Sequence, residues 1–273
     1  MRGAGAVACA VAIVAATACA RCARSPPAHP ERYLPADAAW AIVVPKLRAA
    51  QEGAAPALKT LLTFPAAADL GEAVAALRGQ LGFDPLDPGA VAEAGIDPDG
   101  GAGLAAPPAG PPLLALPASD GDKVRELVAR VARDRLGAGV RGDAEGSGPR
   151  VTIFRRSAGT PPALALAIVG GVALLAPGED GARAVARAAA LPEAGSLAAS
   201  PAFAKARAAL ADGPLLVAFA PAGSPALARL PLARDGAALG VLASALRVEV
   251  RAALLLPGGR AEAWSAALPE GAA

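Results

Sequence analysis

Three cysteines, one histidine and a few carboxylates at turns are the residues whose type and spacing invite chemistry. Cys9, Cys19 and Cys22 all fall within the first 22 residues, so the rest of the chain holds no thiol. Cys19 and Cys22 form a C-x-x-C pair. As a zinc half-site the pair lacks a second set of ligands, and as a disulfide it would close a very small, strained loop. His29 is the single histidine and stands in a proline-rich stretch, so Ser-His-Asp or Cys-His catalysis has no imidazole base in the body. His-ligated zinc and H-E-x-x-H are excluded with it, and no G-x-S-x-G, S-x-x-K or P-loop sequence occurs. Gly137 to Gly142, "GAGVRG", matches G-x-G-x-x-G by letters. A dinucleotide fingerprint needs a strand before it and a helix after it, and here a helical pattern precedes, so a helix stop followed by a flexible loop is expected. Asp84, Asp87, Asp97 and Asp99 could offer oxygens to Ca²⁺, but the terminal Glu of an EF-hand loop is missing, and Asp before Pro or Gly is ordinary turn and cap chemistry. No metal or cofactor is expected.

The remaining reading of Cys19 concerns its address. Met1-Arg2 is followed by sixteen uncharged residues, "GAGAVACAVAIVAATA", too short and alanine-rich for the ~20 strongly apolar residues of a spanning helix. They fit the apolar region of a secretory signal, with Ala16-Thr17-Ala18 as an A-x-A-like cleavage site. A cysteine directly after that site resembles a bacterial lipobox, although Ala16 stands where Leu is usual. Lipidation would give Cys19 two acyl chains, each buried methylene contributing ~0.8 kcal/mol, enough for stable anchoring. A cleaved soluble form and an uncleaved anchor are the alternatives. "ARCARSPPAHPERYLP" then reads as an extended, solvated tether.

Such chemistry as exists must be positioned by a body of short elements. The chain has 273 residues, ample for a real core, and 54% of them are apolar but only 3% aromatic. The core is therefore built from Ala, Val and Leu, and Trp40, Phe83, Phe154, Phe203, Phe219 and Trp264 are the expected anchors. Net charge is +2 with both signs interspersed, which leaves no basic stripe for nucleic acid. "AAWAIVVP" reads as a first strand. "DLGEAVAALRGQLGF" reads as a helix, with Asp69 and Glu72 at capping-box spacing and Val74, Leu77 and Leu81 as its stripe. "DPGAVAEAG" has Asp87 as cap, Pro88 first and Gly95 at its exit. "GPPLLALPA" and "RVTIF" read as strands. "GDKVRELVARVARDRLG" is the clearest helix, with Val124, Leu127, Val128 and Val131 inward and Arg125, Arg130 and Arg133 outward.

Gly170-Gly171 joins two apolar runs as a hairpin whose two faces should both be covered. "GARAVARAAAL" and "SPAFAKARAAL" read as helices, the latter capped by Ser200, and "GPLLVAFAP" as a strand. In "LRVEVRAALLL", Leu246, Val248 and Val250 alternate with Arg247, Glu249 and Arg251, which predicts an apolar inner face and a wet outer one. Gly258-Gly259 turns the chain into a last strand. Helical segments and hairpins interleave, so the expected class is α+β with largely antiparallel sheet and packed helices. A weak echo between "LPADAAWAIVVPKLRAA" and "LADGPLLVAFAPAGSPALARL" raises a two-lobed body.

"YLPADAAWAIVV", "GFDPLDPGAVAEAGIDPDGGAGLA", "LALAIVGGVALLAPGEDGARAVARAA" and "SLAASPAFAKARAAL", in that order, resemble an uncharacterised family of bacterial envelope proteins, a domain-of-unknown-function family opening with an "LPAD" strand. The likeness spans roughly residues 33 to 256 and carries no catalytic residue. It implies an extracytoplasmic α+β protein, often lipid-anchored. The chain is thus expected to comprise a signal peptide (1–18), a lipidated tether (19–32), a body (33–268, a lobe boundary falling near 140–150 if there are two) and a tail (269–273). The expected function is a non-catalytic interaction or structural module of the cell envelope, anchored to membrane through Cys19 and facing the periplasm or outer surface. The alternative is a carrier for a lipid or other hydrophobic ligand in an apolar groove. A role as an enzyme ranks third.

Overall fold

Gly170 and Gly171 hold φ values of 56° and 74°, the left-handed pair that a two-residue type I′ turn requires. They join strands in which Val169 faces Val172 and every further residue pairs in register. This hairpin is the middle of a larger sheet. The computed structural model describes residues 29–61, 68–144, 149–210, 213–228, 235–244, 247–256 and 260–267. Cys9, Cys19, Cys22, the expected signal peptide, Leu246 and Gly258-Gly259 lie outside the described residues.

Among the described residues there are eleven strands, in chain order β1 (Trp40–Val44), β2 (Ala102–Ala106), β3 (Leu113–Pro117), β4 (Val140–Asp143), β5 (Thr152–Arg155), β6 (Leu164–Val169), β7 (Val172–Pro177), β8 (Leu216–Pro221), β9 (Gly236–Ser244), β10 (Arg247–Leu256) and β11 (Arg260–Ala267). They form one sheet in the order β11-β10-β9-β8-β1-β2-β3-β7-β6-β5-β4, antiparallel at every step. The helices among the described residues are α1 (Leu47–Leu61), α2 (Ala68–Leu81), α3 (Pro88–Glu93), α4 (Gly121–Leu136), α5 (Gly181–Ala189) and α6 (Pro201–Ala209). The fold is α+β with an antiparallel sheet and packed helices, as the interleaved periodicities indicate. Near the expected lobe boundary, Val140–Asp143 pair with Thr152–Arg155 at one end of this sheet.

The sheet carries a core on each face. On the first, Val43, Ala115, Leu174, Val217 and Phe219 meet α5 and α6 through Val185, Phe203 and Ala206. On the second, Phe154, Leu166, Ala173 and Leu175 meet Val124, Leu127, Val128 and Ala132 of α4. Because β7 is covered on both sides, Val172 to Ala176 are all buried, which is why its sequence is a continuous apolar run. Phe203 and Phe219 pack edge to face, their ring centroids 5.4 Å apart.

The caps act locally. The Ser200 hydroxyl accepts from Phe203 N at 3.3 Å with Pro201 in the first turn, and Asp87 accepts from Gly89 N at 2.8 Å. Gly137, at φ 63°, ends α4 in the left-handed conformation. Ser200→Ala is expected to lower the unfolding free energy by about 1 kcal/mol, measurable as a lower urea midpoint with unchanged slope. A variant as stable as the parent would show that α6 does not depend on this cap.

Several expectations are corrected. Residues 29–32 are not tether: Pro30–Arg32 form a 3-10 turn with Pro30 and Glu31 buried. Pro30 can seat there because Gly101 and Gly103 lack side chains; a Cβ built on Gly101 would stand 3.0 Å from Pro30 Cδ. Asp69 lies inside α2 and not at its cap. Leu77 of the expected stripe is 43% exposed; α2 is held to α4 instead by Arg130 and Arg135, which donate to the carbonyls of Leu81 and Gly79. After the stop at Gly137, residues Val140–Asp143 are strand and not loop. The β10 pattern is inverted. Val250 is 42% exposed, while Arg251 turns to α6 and donates to the Leu210 carbonyl at 3.2 Å and to Glu249 at 2.6 Å. The cause is parity. Ala253 and Leu255 are 0% and 3% exposed in the first core, and a period of two places Glu249 and Arg251 on their side and Val250 on the other. Of the aromatic anchors, Phe154, Phe203 and Phe219 are buried, Trp40 and Phe83 are half-buried, and Trp264 is 49% exposed.

Candidate ligand-binding groove

Residues paired directly across a sheet point to the same face. Ile42 pairs with Leu104, Leu104 with Leu114, Leu114 with Leu175 and Leu175 with Leu166. The Leu166 and Leu175 end of this row is covered by α4. In the other direction Ile42 pairs with Ala218, Ala218 with Leu239, Leu239 with Ala252 and Ala252 with Trp264. This second half of the row is apolar too, yet Leu239 and Trp264 are each 49% exposed. Apolar side chains therefore run from β11 to β6, beyond which the row passes to Thr152 and Asp143. The Leu166 end is covered by α4 and α1 lies against β9, while Leu239 and Trp264 stay exposed between and beyond them.

The exposed part of this face is concave. A groove of about 380 Å³ runs over β1, β8, β9 and β10. Its floor is small: Ala218, Ala220, Ala237 and Ala252 face it from three strands. Its taller residues are Trp40, Ile42, Leu239 and Leu254, and the 3-10 turn Pro225–Leu227 supplies Ala226 and Leu227. Ser224 fixes that turn. Its buried hydroxyl accepts from Ala226 N at 3.1 Å and donates to the Ala39 carbonyl, beside Trp40. None of the described residues that line the groove is ionisable. Its size falls within the range of about 300–1,000 Å³ usual for small-molecule sites.

A second concavity, about 520 Å³, lies on the opposite face and is lined by His29, Glu31, Pro45, Phe203, Arg207 and Pro214, among others. It is larger but mixed in character. The Glu31 carboxylate is buried and accepts from Arg207 at 3.4 Å, so its charge is compensated within the fold. This is where the chain preceding residue 29 joins the body. The apolar groove is the better candidate because it exposes apolar surface that nothing among the described residues covers.

The sequence candidates separate cleanly. Cys19 lies outside the described residues. Asp84 and Asp97 accept from the backbone nitrogens of Leu86 and Asp99, each at 3.0 Å, and Asp99 pairs with Arg48 at 2.7 Å, so these carboxylates serve turns and ion pairs. Asp99 in turn holds the Arg48 guanidinium above its usual pKa. The Arg150 guanidinium likewise holds the Asp143 carboxyl below the usual carboxylate range. The stabilisation from that pair is present at neutral pH and fades as pH falls through the depressed value, and it is small because both groups are exposed. Among the described residues no group of three potential metal ligands converges, and no helix is long and apolar enough to cross a membrane. The sequence reading missed the residues of the groove. The one local signal was Leu254-Leu255-Leu256, which places large apolar side chains on both faces of β10.

No family model matches the chain, and no curated protein does. Two solved structures of TP0453 are similar in chain path. Crystal form III aligns with a TM-score of 0.43 and 11% identity over 85% of this chain and 81% of that one. Crystal form I gives 0.42 and 12%, over 85% and 80%.

Proposed function

We propose that this chain is an extracytoplasmic protein, exported by its N-terminal signal, anchored through lipid on Cys19, and acting without catalysis as a binding module of the cell envelope. The observation that carries the binding role is the groove: an alanine-floored concavity whose described lining residues are all apolar, on the sheet face that α4 covers further along. It supports the carrier reading over a body with a closed core. Lining of this kind gains affinity by withdrawing apolar ligand surface from water. An acyl chain or similar hydrophobic ligand is the matching partner.

Two measurements test this on the mature protein from a bacterial host. Intact mass should show Cys19 diacylated, and Cys19→Ala should move the protein from the membrane to the soluble fraction. Native mass spectrometry should release a hydrophobic ligand. A soluble, unmodified wild type refutes the anchor, and a ligand-free protein that takes up no added fatty acid refutes the carrier.

A further inference from the structure

The sheet ends in two unlike edges. At one end β4 is four residues long and carries Arg141, Gly142 and Asp143, with Asp143 paired to Arg150. A short, charged strand of this kind is protected against pairing with another chain. At the other end β11 is eight residues long and pairs with β10 without a break or bulge from Arg260 to Ala267. It contains no proline and no lysine, and nothing among the described residues pairs with its outer side. Ala263 and Ser265 are exposed on the face where α6 packs, so that helix does not overhang the edge. Glu262, Trp264 and Ala266 are exposed on the opposite face, the one that holds the groove.

We infer that β11 pairs with β11 of a second copy, antiparallel, about a two-fold axis normal to the sheet. Such an axis keeps each face on its own side, so Glu262, Trp264 and Ala266 can oppose only one another. Two registers pair seven residues of each β11. One sets Trp264 opposite Glu262 of the other copy. The other places Trp264 on the axis against Trp264 of the other copy, with Ala263 opposite Ser265 and Glu262 opposite Ala266. The second is favoured, because it pairs aromatic with aromatic across the strands and brings no like charges together. Centring the pair on Glu262 would set two carboxylates face to face.

The symmetric contact uses up β11, and β4 is unsuited to the same pairing, so the assembly closes at two copies and does not grow into a fibre. One strand pair buries less than the roughly 1,200 Å² of standard complexes, which makes the contact weak and reversible. It does not depend on the ligand reading, and it joins the two grooves. The row Leu239, Ala252, Trp264 continues into Trp264, Ala252 and Leu239 of the other copy. The two Leu239 positions are then five strand steps, about 24 Å, apart on one apolar face.

The mature protein carrying Cys19→Ala, kept reduced so that Cys22 forms no disulfide, is followed by sedimentation equilibrium between micromolar and millimolar concentration. A monomer–dimer equilibrium is expected. Ala266→Lys sets a lysine opposite Glu262 at two places and should tighten the dissociation constant about five-fold, while Ala266→Glu should weaken it by about the same factor. Ala266 is exposed, and a gain in affinity is not what a damaged fold produces. A protein that stays monomeric throughout overturns the inference and leaves the edge to a strand of some other protein. A dimer that is indifferent to both changes, or that Ala266→Lys weakens, puts the contact in another place or register and overturns it. Growth beyond two copies overturns the two-fold closure.

Discussion

Phe203→Ala is expected to lower the unfolding free energy by about 3–5 kcal/mol, the range for truncating a buried Phe. Phe203 is 3% exposed and is the largest side chain that α6 places on the sheet. Its ring meets Phe219 edge to face, a geometry that adds about 0.5–1.5 kcal/mol beyond area burial. The site cannot collapse to fill the space, since its neighbours Ala206, Val217 and Ala238 are small or held in strands. Urea unfolding of wild type and variant at the same pH measures the loss from the shift in midpoint. A loss under about 1 kcal/mol would mean that α6 is not packed as described.

Ala218→Phe is expected to weaken fatty-acid binding by roughly 60-fold. Ala218 sits between Ile42 and Leu239 in the cross-strand row and points into the groove. A phenyl ring there displaces about three methylenes of ligand, each contributing ~0.8 kcal/mol, and the sum of ~2.4 kcal/mol corresponds to that factor. The fold should tolerate the ring, because it projects from a strand into open space and aromatics are favoured in strands. Titration with a naturally fluorescent polyene fatty acid, beside a thermal melt, separates the two effects. Unchanged affinity at unchanged stability would place the ligand elsewhere.

Much of the scaffold was legible because its signals are local. Asp87, Ser200, Gly137 and the Gly170-Gly171 turn announce their geometry within three or four residues. β2 and β9 were not legible. "AGLAA" and "GAALGVLAS" contain almost no β-branched residue, and they become strands because both sides of each are paired. The facing of β10 was misread for a related reason. Its first half alternates like a half-wet strand, but parity is set by Ala253 and Leu255 further along, so the charged residues turn inward and pair. An apolar groove was expected only as the alternative and its residues were not located, since it exists where β1 lies beside β8, about 180 residues further along the chain, and β9 and β10 continue the same face.

β1 has a last consequence, which concerns time. Ala41 to Val43 pair with β8, about 180 residues downstream. At ribosomal rates of about 5–20 residues per second, that partner arrives roughly 10–35 s after β1 is made. Throughout that interval one side of an apolar strand has open hydrogen-bonding groups and a built template for the wrong chain. Newly made molecules should depend on a holding chaperone until β8 is available, and fragments ending before residue 216 should aggregate even though most of the α4-covered half is complete.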